Sequence, residues 1–324
     1  MFFDALQFVD DLEGALAADA EKRKSLLNLC EVCVQWRRVS LSTPHLWNHI
    51  LIRRPSDPFS LRSLTLSGTL PLVVYYFGNQ KWENEASGIG ELGTMGVVME
   101  HCHRLRGLVI YSAWQGSHIF WKTLEREASE LKVLKLLASA KMHFQSPAIP
   151  QLFLGSTPAL EHLEMSIFSP LPGTCQFRNL RSLALHDQDV RDVMTVGFSR
   201  FLCVLELSPQ LEELVISRSG PPHNIPDTDV PLPRLSNNPV VLPNLRSLSL
   251  GCWLHSTEDV VTFLSYIRIP DSAARHVFAN SLCEWDASMV DFIREGRLDG
   301  SPPVRSIRKL QMIASSMIEG SHGL

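Results

Sequence analysis

Residues 88–93 have the spacing G-x-G-x-x-G, which is found in loops that bind the pyrophosphate of a dinucleotide. Such a loop follows a strand directly, and an acidic residue about 20 positions further on binds the ribose. Here the polar residues 79–87 separate the motif from the apolar run that ends at Phe77, and no acid occurs from 101 to 124. We therefore expect a loop that binds no nucleotide.

The C-x-x-C pair of Cys30 and Cys33 could serve redox or zinc chemistry. The pair falls within a predicted helix and has no second pair to complete a zinc site, so a structural role is expected. The run His101-Cys102-His103 also lacks further ligands. No H-E-x-x-H, phosphate-loop lysine or G-x-S-x-G motif occurs. These observations predict no enzyme activity, no cofactor and no metal.

A different pattern, Leu-x-x-Leu-x-Leu, recurs six times with small variations. Successive copies begin 20 to 34 residues apart. They consist of Leu105, Leu108 and Ile110; Leu131, Leu134 and Leu136; Leu160, Leu163 and Met165; Leu180, Leu183 and Leu185; Leu211, Leu214 and Ile216; and Leu245, Leu248 and Leu250. A weaker copy begins at Ile307, and a strand-like stretch at residues 274–279 lies midway to it.

The last two apolar positions of each copy point to one side of an extended chain. A single unit cannot bury that side alone, whereas stacked units share a core. Helical spacing of apolar residues predicts helices between the strands at 94–103, 121–131, 189–207 and 256–267. Residues 220–244 contain seven prolines and are predicted to form a surface loop.

These features predict an α/β fold, namely an irregular leucine-rich-repeat solenoid with a curved parallel sheet. The irregularity is expected because none of the positions that hold Asn or Cys in the repeat consensus does so here. Those positions are Ala113, Ser139, Phe168, Gln188, Ser219 and Trp253.

Composition limits the class of partner. The net charge is −4 without a dense basic run, which argues against nucleic-acid binding. The longest apolar run, residues 70–77, is far below the ~20 residues of a membrane span. The seven cysteines are few and irregularly spaced, as is typical of reduced thiols. We expect a cytoplasmic or nuclear protein that does not bind membranes.

Residues 25–50 differ in character from the repeats. Leu26, Leu29, Cys33 and Trp36 step along one predicted helical face, and a short turn at Pro44 follows. The run Val32-Cys33-x-x-Trp36-Arg37, followed by Ser42-Thr43-Pro44-x-Leu46-Trp47, resembles the second half of an F-box. It is similar to the F-box-like proteins with degenerate leucine-rich repeats of mushroom-forming fungi. The Leu-Pro-x-Glu start of the family's first helix is absent here.

The resemblance implies a division into a helical F-box-like segment (1–52) and a repeat domain (53–324). In the family, the F-box docks on the adaptor protein of a cullin-RING ubiquitin ligase, and the repeats recruit a protein substrate. The adaptor-binding or F-box core residues would be Cys33, Trp36, Pro44, Leu46 and Trp47. The chain would then be a substrate-recognition subunit of the ligase. The alternative is a leucine-rich-repeat scaffold without ligase association.

Overall fold

The computed structural model describes residues 12–54, 56–78, 93–112, 124–138, 152–155, 157–166, 177–186, 198–217, 239–251, 266–270 and 272–278. Within these ranges the chain forms an α/β structure with a parallel sheet. Its helices are α1 (Leu12–Val32), α2 (Val34–Leu41), α3 (Pro58–Leu66), α4 (Gly93–Met99) and α5 (Phe198–Glu206).

The main sheet has nine strands, and every neighbouring pair is parallel. Their order across the sheet is their order along the chain. The strands are β1 (His49–Ile52), β2 (Leu72–Phe77), β3 (Leu105–Ser112), β4 (Val133–Ala138), β5 (His162–Ser166), β6 (Ser182–His186), β7 (Glu213–Ser217), β9 (Ser247–Gly251) and β11 (Ala274–Phe278). Two short strands, β8 (Val240–Val241) and β10 (Ile267–Arg268), pair with each other in parallel.

The register aligns the six leucine patterns into rows that cross the sheet. Leu108 lies opposite Leu134, and the same row continues through β5, β6 and β7 to Leu248. A second row runs from Ile110 to Leu250. The first leucine begins β3 in the first copy and precedes the strand in the other five, and all six are at most 2% exposed. Leu185 alone among the row positions is only partly buried. The six strands predicted from this pattern are confirmed.

Two strands extend the rows beyond the predicted copies. Val74 of β2 lies opposite Leu108, and Ile50 of β1 lies opposite Val74. Trp47, Ile50 and Ile52 have the spacing of the leucine pattern and are at most 2% exposed. One continuous hydrophobic core therefore runs from β1 to β9.

Short turns lead into several strands and position their first leucine. The N–H of Leu160 donates to the carbonyl of Thr157 at 3.1 Å, and that of Leu211 donates to Ser208 at 3.0 Å. A proline follows the first residue of both turns, where its fixed φ suits the turn. In both turns the same hydrogen bond places the first leucine just before its strand, which helps to keep the strands in register.

The predictions for the connecting segments have mixed outcomes. Helices are confirmed in parts of 94–103 and 189–207, where α4 and α5 lie, and the strand within 274–279 is β11. The predicted helix is wrong over 124–131, because those residues form turns that bury Leu124, Ala128 and Leu131. The predicted loop is wrong at 240–242, where β8 forms and Leu242 is buried.

Several predictions lie outside the described residues. They are the copy at Ile307, residues 256–265 of the helix predicted at 256–267, the six consensus positions that lack Asn or Cys, and residues 88–92 of the glycine motif. At its end that helix prediction is wrong, because Ile267 belongs to β10.

The strand order has a consequence for function. Ligands of open α/β sheets bind where the strand order reverses, at a topological switch point. No such reversal occurs among the nine strands of the described sheet. The strand order therefore offers no switch-point crevice within the described sheet.

Candidate interaction surfaces

The side of the sheet opposite the leucine rows is the first candidate surface, and we call it the second face. Alternate residues of each strand lie on it. On β1–β4 these residues are mostly apolar, with His49, Gly107 and Lys135 as the exceptions; the apolar ones are Leu51, Val73, Tyr75, Phe77, Val109, Tyr111, Val133 and Leu137. On β5–β9 they are mostly small or polar: His162, Glu164, Ser166, Ser182, Ala184, His186, Glu213, Val215, Ser247 and Ser249.

The β1–β4 part, which we call the covered half, is largely buried although it lies away from the main core. Val109 is 1% exposed, and Val133, Leu51, Phe77 and Leu137 are at most 9% exposed. Its remaining side chains, such as Val73, Tyr75 and Tyr111, are half-buried. The rings of Phe77 and Tyr111 pack at 6.1 Å between centroids. Burial also raises the pKa of Tyr75. These strands are therefore buried on both faces, which is typical of parallel sheets that are covered on both sides.

The β5–β9 part, which we call the open half, keeps its side chains accessible. Ala184, Val215 and Ser249 are half-buried and Glu213 is exposed, whereas Ser166 is buried. The hydroxyl of Ser182 donates to Oε2 of Glu213 at 3.0 Å. The side chains are short, so the surface is shallow and offers hydrogen-bonding groups to a partner.

An ionic cluster marks the boundary between the two halves. Glu164 lies between Lys135 of β4 and His186 of β6. Its Oε2 is 2.7 Å from Lys135 Nζ, and its Oε1 is 3.5 Å from His186 Nε2. Burial alone would raise the pKa of Glu164, but the hydrogen bond from His186 and the charge of Lys135 lower it to about 2. Both carboxylate oxygens are occupied, so Glu164 is an ionised structural group rather than a general base.

Charged residues of alternating sign cross the sheet where β4–β9 begin, and we call this row the rim. The rim consists of Lys132, Glu161, Arg181, Glu212 and Arg246. Lys132 Nζ lies 2.5 Å from Glu161 Oε1, and Arg246 Nη1 lies 3.1 Å from Glu212 Oε2. Arg181 reaches both acids, at 3.9 and 3.5 Å. The hydrogen bond from Lys132 lowers the pKa of Glu161 further than its burial raises it.

The helical head formed by α1 and α2 is the second candidate surface. The continuous helical face expected from Leu26 to Trp36 is interrupted, because Cys33 has extended backbone angles (φ −162°, ψ 172°) between the two helices. Cys33 caps α2, and its Sγ accepts a hydrogen bond from the N–H of Trp36 at 3.5 Å. Cys33 is exposed and Trp36 is 52% exposed, whereas Leu26 is buried.

The head presents an unusual number of apolar side chains to solvent. They are Leu27, Val32, Val34, Trp36 and Val39, each at least 50% exposed. Only three other large apolar residues of the described chain are 40% exposed or more: Val97, Leu154 and Val241. Large exposed apolar groups that lie together are typical of protein-binding surfaces.

The remaining predicted site residues lie in the turn that joins the head to the sheet. Pro44 begins a short 3-10 helix that includes the half-buried Leu46. Trp47 is 2% exposed, and its Nε1 donates to the carbonyl of Ser40 at 2.8 Å. Its ring packs on Phe59 at 5.9 Å. Trp47 therefore links α2 to α3, whereas Cys33 and Trp36 lie on the exposed side of the head.

Arg23 forms a second connection between the head and the sheet, and nothing in the local sequence predicts it. It pairs with Asp57 at 3.1 Å, donates to the carbonyl of Leu51 and stacks over Phe59 at 4.8 Å. Asp57 in turn caps α3 by accepting hydrogen bonds from Phe59 N and Ser60 N. Burial tends to raise the pKa of Asp57, but Arg23 and Ser60 lower it overall.

Nearby on β1, His49 is half-buried. Burial and, secondarily, the charge of Lys22 lower its pKa to about 4. It is therefore neutral near pH 7.

The run His101-Cys102-His103 holds a buried cysteine with a backbone partner. Cys102 is buried, its Sγ donates to the carbonyl of Glu127 at 3.0 Å, and burial raises its pKa. Across the described ranges, no three His, Cys, Asp or Glu side chains converge as metal ligands would. The described helices also include none with the length and hydropathy of a membrane span.

Comparison with known proteins supplies no relative. No protein-family model, curated protein or solved structure matches the chain. The functional interpretation therefore rests on the surfaces described above and on the sequence resemblance.

Proposed function

We propose that this chain is a protein-interaction subunit whose head binds the adaptor of a cullin-RING ubiquitin ligase and whose repeat body recruits a protein substrate. The observation that carries the proposal is the set of exposed apolar residues on α1 and α2. It coincides with the segment that resembles an F-box, and it includes Trp36 of that resemblance. A half-exposed tryptophan among valines is the kind of side chain that anchors protein interfaces.

The body supports the second part of the proposal. The proposal assigns the stacked strands to an irregular leucine-rich-repeat solenoid, because aligned rows of leucine are what such repeats produce. The open half of the second face supplies a shallow surface with short polar side chains. Substrate recruitment is therefore assigned to the open half and not to the covered half.

A binding assay with the purified ligase adaptor tests the proposal. The full chain should bind the adaptor, and Trp36→Ala should weaken binding by about tenfold or more, as is usual for an aromatic anchor. Val241→Ala is the matched control, because Val241 is 58% exposed but lies on β8, away from the head. Absence of binding by the wild-type chain would contradict the proposal, as would equal losses in the two variants.

Trp47→Ala is unsuitable for this assay. Because Trp47 is buried and bridges Ser40 and Phe59, its truncation should destabilise the fold by about 3–5 kcal/mol. Any loss of binding in that variant would then report unfolding. A thermal unfolding scan should show the lowered midpoint in Trp47→Ala and an unchanged one in Trp36→Ala.

The second candidate function is a repeat scaffold that does not associate with the ligase. Its support is the structural role of Trp47, because packing alone explains this residue of the F-box-like segment. The two candidates differ in two results. The scaffold would bind its partners equally well when Trp36 is replaced, and it would not bind the adaptor.

A further inference from the structure

Cys30 and Cys33 lie on either side of the break between α1 and α2. Cys30 is in the last turn of α1 and is half-exposed, and Cys33 is exposed at the start of α2. Both are free thiols. Cys30 has no part in the binding surfaces described above, whereas Cys33 lies on the exposed side of the head with Trp36.

The backbone holds the two cysteines at a distance that a disulfide can span. The residues between them, Glu31 and Val32, belong to α1, and helical geometry places residues three apart at about 5 Å between Cα atoms. Disulfides join Cα atoms about 4.4–6.8 Å apart. At Cys33 the backbone is extended rather than helical, so its side chain is not confined to the rotamers of a helix interior.

Arg37 forms hydrogen bonds with the backbone of both cysteines. Its backbone N–H donates to the carbonyl of Cys33 at 3.0 Å, and its side-chain Nε donates to the carbonyl of Cys30 at 2.7 Å. One residue therefore holds both ends of the pair across the break. The hydrogen bond from Trp36 N further orients Sγ of Cys33.

The other two described cysteines are much less accessible to solvent than Cys30 and Cys33. Cys102 and Cys203 are 8% and 4% exposed, and burial raises the pKa of the Cys102 thiol. Thiol–disulfide exchange needs an accessible thiolate. The pair on the head is therefore the reactive one among the described thiols.

We propose that Cys30 and Cys33 form a redox-responsive dithiol that closes to a disulfide by exchange with a small disulfide such as oxidised glutathione. The Cys33 thiolate attacks one glutathione sulfur and releases one glutathione thiol. The Cys30 thiolate then attacks the mixed disulfide at the Cys33 sulfur and releases the second. Two protein thiols lose their protons and are oxidised by two electrons, and one glutathione disulfide is reduced to two thiols. The new bond lies beside Val32, Val34 and Trp36, so it would alter the exposed apolar surface of the head.

The test treats the purified full chain with glutathione buffers of increasing oxidised fraction, followed by acid quenching, alkylation and peptide mass spectrometry. The wild-type chain should form the Cys30–Cys33 disulfide. Cys30→Ser lacks the second thiol and should accumulate glutathione on Cys33, on the order of tenfold more than the wild type. Cys33→Ser keeps an oxygen that can cap α2 and should lose the disulfide without a change in unfolding midpoint.

Three results would overturn the proposal. The first is wild-type protein that carries as much glutathione on Cys33 as Cys30→Ser does. The second is both thiols staying reduced at every glutathione ratio. The third is a disulfide that joins Cys30 to a different cysteine. None of these results depends on ligase binding, so they leave the proposed function to its own test.

Discussion

The covered and open halves of the second face belong to one sheet and lie opposite one set of leucine rows, yet the burial of their side chains differs. Val109 of β3 is 1% exposed, whereas Val215 of β7 occupies an equivalent register position and is half-buried. Burial on the leucine side is nearly uniform across both halves. The leucine pattern therefore specifies the stacking, and the alternate positions decide what each part of the sheet can do.

The strand sequences show the same difference. β2 reads Leu-Val-Val-Tyr-Tyr-Phe, which is apolar throughout, and β9 reads Ser-Leu-Ser-Leu-Gly, which alternates. A strand buried on both faces needs apolar residues at every position, whereas a strand with one open face needs them at every second position. Partner binding through the sheet is therefore expected at β5–β9.

A matched pair of charge substitutions should give the largest difference in stability between the two halves. Val109→Asp places an unpaired carboxylate in a buried site and should lower the free energy of unfolding by about 3–5 kcal/mol. Val215→Asp incurs the same loss of strand propensity at an accessible site and should cost about 1 kcal/mol or less. Urea unfolding of both variants measures the difference, and similar losses would mean that the halves are equally covered.

The ionic cluster at the boundary should give a smaller, pH-dependent effect. The pKa of Glu164 is lowered from 4.5 to about 2, so its ionised form stabilises the fold above pH 4.5, by about 3 kcal/mol. That contribution is lost as the pH falls toward 2. Glu164→Gln should be less stable than the wild type at neutral pH, and the difference should shrink on acidification.

Glu213→Gln serves as the control for this experiment. Glu213 is exposed on the neighbouring part of the open half, so its replacement should change stability by about 0.5 kcal/mol or less. Equal pH profiles for the two variants would contradict the structural role of Glu164.

The rim should give the smallest effect. Arg181 is 56% exposed and reaches both Glu161 and Glu212. Arg181→Ala should cost no more than about 1 kcal/mol, because solvent screens exposed ion pairs. The loss should diminish at about 1 M salt, where screening acts over about 3 Å. An undiminished loss at high salt would show that Arg181 acts through packing instead.

The repeating strands could be predicted from the sequence, whereas side-chain contacts between residues far apart in the chain could not. Six strands followed from leucine spacing alone, because each copy carries its own pattern. The cluster of Lys135, Glu164 and His186 was not predicted, since these residues meet only through the register of three strands. The contacts of Arg23 with β1 and Asp57 were missed for the same reason.

Two local features were also missed, and for different reasons. Trp47 follows the spacing of the leucine pattern with Ile50 and Ile52, so a search that allowed tryptophan at the first position would have found β1 as a further copy. The helix break at Cys33 carries no proline or glycine. The break coincides with the Cys33 Sγ cap of α2, and cysteine is not among the residues from which a helix start is usually predicted.

Thiol labelling of the second face tests most directly whether only the open half is available to a partner. The variants Val109→Cys and Val215→Cys are each treated with an alkylating reagent under native conditions. Peptide mass spectrometry then follows the modification of each new cysteine. Val215→Cys should react readily, and Val109→Cys should stay protected until the chain unfolds. Equal reactivity at the two positions in the folded protein would contradict the distinction between the covered and open halves.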